Sequence, residues 1–145
     1  MVNEEIESTI KTLHIVKKVL IAAPADVVFQ TVLEPHGPMK EMNMKLEPWP
    51  GGRWFRDLGN NTGHLWGHVQ VIKPPKLLEL VGPTMMSYPV ASHVQYRLTE
   101  QPGGTLLIFT HQAIGLIEPG LQQNVSNGWE DMLNHIRTAA EKKRG

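Results

Sequence analysis

The chain has no cysteine. A disulfide framework is therefore excluded, and neither redox compartment nor thiol chemistry can be argued. Net charge is also missing, because 14 Lys+Arg balance 14 Asp+Glu. A nucleic-acid partner, which needs a basic surface, is not expected. No apolar run reaches the roughly 18 residues of a membrane span, so none is expected. The acidic start at Glu4, Glu5 and Glu7 is unlike a signal peptide, and a cytoplasmic protein is the expectation. There is no internal repeat, low-complexity segment or dividing linker. What remains is 145 residues, 41% hydrophobic, enough for one domain, 1–145, with its own core.

Catalytic and metal motifs are absent as well. The sequence carries no Ser-His-acid elbow and no phosphate-cradling loop, and the expected interior positions hold no close carboxylate pair. His64 and His68 share one face of a strand but stand about 13 Å apart, too far for one metal. No metal site and no cofactor are expected. For Arg53, Arg56 and Asp57, which flank Trp54 and Phe55, a solvated edge is the expected place, with an inward turn of one as the alternative.

The strongest positive signal is one long amphipathic helix from 118 to 143. Leu121, Val125, Trp129, Leu133, Ile136 and Ala140 fall on one stripe, with Met132 and Ala139 beside it. Pro119 suits its first position, and Lys142, Lys143 and Arg144 bring positive charge to its negative end. Gly128, at the edge of the stripe, marks either close backbone approach or a weak first half.

Ahead of this helix the chain reads as a polar lead-in to residue 10, a strand, a short helix and a meander. In the first strand Leu13, Ile15, Val19 and Ile21 alternate with His14, Val16, Lys18 and Leu20. Pro24 and Asp26 open a short helix with Val28, Phe29, Val32 and Leu33 on its apolar face. Pro35, Gly37 and Pro38 break any regular element between 34 and 44. Met39, Met42 and Met44 there suit an adaptable lid or plain core filling. Six antiparallel strands follow at about 45–48, 52–58, 63–73, 76–82, 90–99 and 104–112, with short turns between most of them and a longer 83–89 loop.

Burial fixes the expected registers. About Pro74-Pro75, Val71, Val69 and Gly67 lie opposite Leu78, Leu80 and Gly82 on an inner face, while Gln70 and Glu79 face water. Facing glycines at 67 and 82 suggest a bend or a close approach. In the last hairpin, Leu107 and Phe109 meet Val94, Tyr96 and Leu98 only if paired numbers sum to an odd value. That register puts His111 inside near Ser92 and Val94, as a satisfied core residue or as the polar group that orients a ligand.

The order of Ala22-Ala23-Pro24 to Phe29, Glu47-Pro48 with Gly51-Gly52-Arg53-Trp54, Gly63-His64-Leu65-Trp66-Gly67 to Leu77, Gly104-Thr105 to His111, and Gly128-Trp129 with Leu133 resembles a known family. This is the SRPBCC or START-like superfamily, and within it the branch of the activator of the heat-shock chaperone ninety ATPase, over about residues 12–142. The resemblance implies an α+β helix-grip fold, a curved sheet of six to seven strands wrapped around the long helix. It further implies a cavity for an apolar small molecule, with Trp54, Gly67, Val69, Leu80, Tyr96, Phe109, His111, Trp129 and Leu133 as its walls. Glu34 to Met39 replaces the tryptophan-rich segment common in the branch, and the closing motifs of true chaperone activators have no clear counterpart here.

Three functions stay open. The leading one is binding of a lipid-like, polyketide-like or aromatic molecule, with no catalytic residue assigned. A polyketide cyclase or aromatase would use the cavity to orient a reactive chain, with His111 or an inward Arg moving protons. A chaperone partner would be met by the sheet's outer face, with Trp66 exposed on it. Ligand identity and oligomeric state are not encoded in these patterns.

Overall fold

A computed structural model describes residues 2–3, 9–85 and 89–143. Residues 4–8 of the expected lead-in, 86–88 of the expected loop, and Arg144 lie outside the described residues. Seven antiparallel strands form one sheet in the order β1-β7-β6-β5-β4-β3-β2. They are β1 Lys11–Ile21, β2 Met44–Leu46, β3 Arg53–Gly59, β4 Thr62–Lys73, β5 Leu77–Gly82, β6 Val90–Gln101 and β7 Gly104–Gly115. The helices are α1 Ala25–Val32, α2 Pro38–Glu41 and α3 Leu121–Lys143. This is the expected α+β helix-grip architecture.

Strand order decides where the helices go. β1 and β2 follow one another in the chain but occupy opposite edges of the sheet. At about 4.8 Å per strand, residues 22–43 must cross nearly 30 Å of the inner face. α1 and α2 are that crossing. The four-residue α2 falls where no regular element was expected. Pro38 begins it because its missing N–H costs nothing there, and Gly37, at φ 54°, supplies the turn that Pro cannot.

α3 begins three residues later than its pattern suggested. Glu118 to Leu121 form a turn closed by the Leu121 N–H on the Glu118 carbonyl at 3.2 Å, with Gly120 at φ 83°. Pro at the second place and Gly at the third make a type II turn, so Pro119 sits before the helix. Val125, Trp129, Met132, Leu133, Ile136 and Ala140 are buried, as the stripe requires, and pack against β1 and α1. Gly128 has open space where its Cβ would be, so it is a weak point of the helix and not a close approach.

β6 and β7 pair with odd sums, Val94 with His111, Tyr96 with Phe109 and Leu98 with Leu107. The β4–β5 pairing holds at one end only: Val69 meets Leu80 and His68 meets Val81, but Val71 meets Glu79 and Ile72 meets Leu78. A bulge at Gln70 absorbs the extra residue on β4, while Leu78 and Leu80, two apart on β5, stay buried on its inner face.

A second bulge moves a residue across the sheet. Trp54 pairs with Gly67 and Phe55 with Leu65, leaving Trp66 as the inserted residue. Trp66 is buried, edge-on to Trp54 at 5.1 Å between ring centres. Its expected exposure on the outer face is overturned, because simple alternation fails at a bulge. Beside it, a Cβ on Gly82 would collide with the Gly67 backbone and the Trp66 carbonyl. The facing glycines therefore let two backbones touch.

Candidate functional site

Two kinds of interior lie under the crossing segment. Beneath α3, toward β1, β7 and β6, the core is solid. Phe109 and Trp129 stand 4.9 Å apart between ring centres, Tyr96 and Phe109 5.1 Å, and none of the three is more than 4% exposed. His111 lies within this layer, wholly buried. The indole N–H of Trp129 donates to its Nδ1 at 2.9 Å, and since an indole can only donate, the imidazole proton resides on Nε2. Nε2–H in turn donates to Ser92 Oγ at 3.0 Å. Burial pushes the imidazole down to about 4, so His111 is neutral near pH 7. Both of its nitrogens are occupied. It is a satisfied core histidine that fixes Trp129.

Toward β2, β3 and β5 the packing opens into a small cavity of about 40 Å³. Its floor is Trp54, Leu78, Leu80 and Tyr96, and α3 contributes Met132 and Ile136. The cover is the crossing itself, from Val32 through Met39 to Met44 and Leu46, with Glu34, His36 and Lys45 at the rim. Met44 is buried, while Met39 and Met42 are half-buried against the core. The Tyr96 hydroxyl is the polar group in the floor, and its partner is the thioether of Met132 at 3.6 Å, a weak acceptor. Burial raises that phenol above its ordinary value, so it stays a donor.

The cover is pinned mainly at its α1 end. Lys143 at the end of α3 reaches Glu34 at 2.7 Å and Thr31 Oγ1 at 3.2 Å, and the lysine holds the Glu34 carboxyl below its ordinary value. His36 Nε2 lies 3.0 Å from the Thr31 carbonyl, and burial lowers the pKa of this imidazole as well. Gly37 lies flat on the ring of His135, where any Cβ would collide. Beyond Gly37, α2 packs chiefly on the short edge strand β2.

Trp54, Leu80 and Tyr96 thus line the cavity. Val69, Phe109, His111, Trp129 and Leu133 stand in the packed core around it, and Gly67 faces the β5 backbone. Sequence reasoning did not name Leu46, Leu78, Met132 and Ile136 as walls. The thioethers at 39, 42 and 44 were the signal for the cover. His64 and His68 are both exposed, and no group of three or more metal-ligating side chains occurs among the described residues. No helix among the described residues is long and apolar enough to cross a membrane.

Comparison with known proteins gives a family match over most of the chain. A family model described as Activator of Hsp90 ATPase homolog 1-like protein matches residues 22–141. No curated protein matches the sequence significantly. An uncharacterized protein from Rhizobium leguminosarum superposes with a TM-score of 0.74 at 21% identity, over 94% of this chain and 99% of that one. CalU16 from Micromonospora echinospora gives a TM-score of 0.64 at 22% identity, over 94% and 87%. The di-domain ARO/CYC StfQ from the steffimycin biosynthetic pathway gives 0.65 at 11% identity, over 91% of this chain and 51% of that one. At these identities the likeness is one of fold.

Proposed function

Since the chain belongs to the Activator of Hsp90 ATPase homolog 1-like family, we propose that it binds an apolar small molecule in the space between α3 and the β2–β3–β5 side of the sheet. The observation that carries this reading is the division of the interior. One half is filled by interlocked aromatic rings; the other is closed only by a segment rich in flexible thioethers. As it stands, about 40 Å³ holds one or two waters, so a ligand of ten or more heavy atoms enters only as the 34–44 cover moves outward. The pinned α1 end serves as the hinge and α2 as the part that swings. A ligand acceptor would replace Met132 Sδ on the Tyr96 hydroxyl.

Two observations set this reading above the alternatives. A cyclase needs a group that exchanges protons with the bound chain; His111 is engaged on both nitrogens by Trp129 and Ser92, and an inward Arg keeps its proton. The chaperone-partner reading leaned on an exposed Trp66, which is buried.

Native mass spectrometry and thermal-shift measurements with decanol and naphthalene test the proposal. A bound apolar molecule raises Tm with concentration, as mass action requires. Leu46→Trp, at a half-buried position of the cover, should fill the space and abolish the shift while the variant still melts cooperatively. An equal shift in wild type and Leu46→Trp would place the ligand elsewhere and end the proposal.

A further inference from the structure

One charged side chain on the inner face, Arg56, has no counter-charge among the described residues. Arg56 stands two residues from Trp54 on the same side of β3, opposite Met44 of β2. Its neighbours are paired. Arg53 grips Glu47 through bonds of 2.9 and 2.8 Å, and Lys45 meets Asp57 at 2.8 Å. Arg56 Nε is shut off from solvent and has no hydrogen-bond partner among the described residues. None of the ion pairs among the described residues includes it.

A guanidinium cannot relieve this by losing its proton, and a buried charged N–H without an acceptor is costly. The sealed Nε–H of this half-buried side chain lacks an acceptor. Around it lies a cleft of about 480 Å³, open to solvent and walled by Met42, Trp66, Thr84 and Met85. Gly63, His64 and Leu65 complete the walls, so apolar Met42, Leu65, Trp66 and Met85 stand beside polar Arg56, His64 and Thr84, a mixed lining that takes a charged group carried on a greasy body. The cleft adjoins the cavity through two contacts: Trp66 of the cleft rests on Trp54 of the cavity, and Arg56 pairs across the strands with Met44, which lines the cavity.

Resting on the reading that the cavity takes an apolar molecule, we infer that the molecule is an acid. Its carboxylate docks on Arg56, and its tail runs past Met44 and Trp54 toward Tyr96. A single guanidinium matches one negative charge; a phosphate dianion would leave its second charge unpaired.

Isothermal titration at pH 7.5 with decanoate, decanol and decyl phosphate separates the outcomes, using the wild type, Arg56→Met and Arg56→Lys. The wild type should bind decanoate at least tenfold more tightly than decanol. Arg56→Met should erase that preference while leaving decanol affinity within twofold, and Arg56→Lys should restore part of it. Arg56→Met should melt no lower than wild type by circular dichroism, because it removes a sealed N–H that has no acceptor. Equal binding of acid and alcohol, or a preference that survives Arg56→Met, would overturn the inference and leave the cavity reading standing. Tighter binding of decyl phosphate would overturn the single-charge assignment. If the wild type binds none of the three, the cavity reading falls and this inference with it.

Discussion

Acid should destabilise this protein chiefly through His111, well before its carboxylates titrate. In the folded chain the buried imidazole is held down at about 4, against 6.5 when exposed. Unfolded chains therefore bind a proton near pH 6.5 that the native state refuses until pH 4. Stability is complete above pH 6.5 and falls as the pH drops through that window, by ~1.4 kcal/mol per unit where the proton difference is full. Integrated, this amounts to about 2 kcal/mol between pH 7 and pH 5 and about 3 kcal/mol in all. Burial lowers the pKa of His36 too, so it adds to the wild-type slope in the same direction. Glu34 and Asp57, held low by Lys143 and Lys45, lose their contributions only at lower pH, as their unfolded values near 4 are passed.

His111→Gln isolates the effect, since an amide oxygen can accept from Trp129 and an amide N–H can donate to Ser92 without titrating. Urea unfolding followed by tryptophan fluorescence, at pH 7 and pH 5, should show wild type losing about 2 kcal/mol more than His111→Gln. Parallel losses in the two proteins would refute the assignment of a neutral, sealed imidazole. A long-range nitrogen NMR spectrum at pH 7 checks the same point independently, and must show the proton on Nε2.

Further expectations concern packing. Gly128→Ala, with open space for the methyl group inside α3, should stabilise the protein by about 0.5–1 kcal/mol and raise Tm; a fall in Tm would mean the helix face meets something there. Gly82→Ala combines a collision with the Gly67 backbone and a φ of 153°, and should cost roughly 2 kcal/mol or more in urea unfolding. Unchanged stability would show that the two strands stand farther apart than described. Trp129→Phe keeps most of the ring but leaves His111 Nδ1 without its donor. It should cost about 1–3 kcal/mol, and the His111 resonance should then titrate at higher pH.

Much of this fold was legible because burial imposes a period. The α3 stripe and the odd β6–β7 register followed from it, since a slip of one residue would have buried Gln95 and Arg97. The bulges at Trp66 and Gln70 were not legible, because an inserted residue breaks alternation without any required residue type to announce it. Those two irregularities reversed the placement of Trp66 and shifted Val71 and Ile72. At the candidate site, the fold resemblance named the central aromatics, of which Phe109 and Trp129 stand in the packed core and not on the cavity. Their rings fill their half so well that the open space lies one strand group away, under residues whose mutual packing no periodicity reports. Arg56 carried a readable hint, its two-residue spacing from Trp54, but only the missing partner gives it meaning.

The central claim is that an apolar guest displaces the 34–44 cover and occupies the space above Tyr96. Labelling the methionine methyl groups with carbon-13 and titrating with decanoate tests it most directly, since Met39, Met44 and Met132 line that space. Ligand contact should shift these three signals together and yield nuclear Overhauser effects to the decanoate chain. Saturating decanoate that leaves all three unmoved would contradict the account.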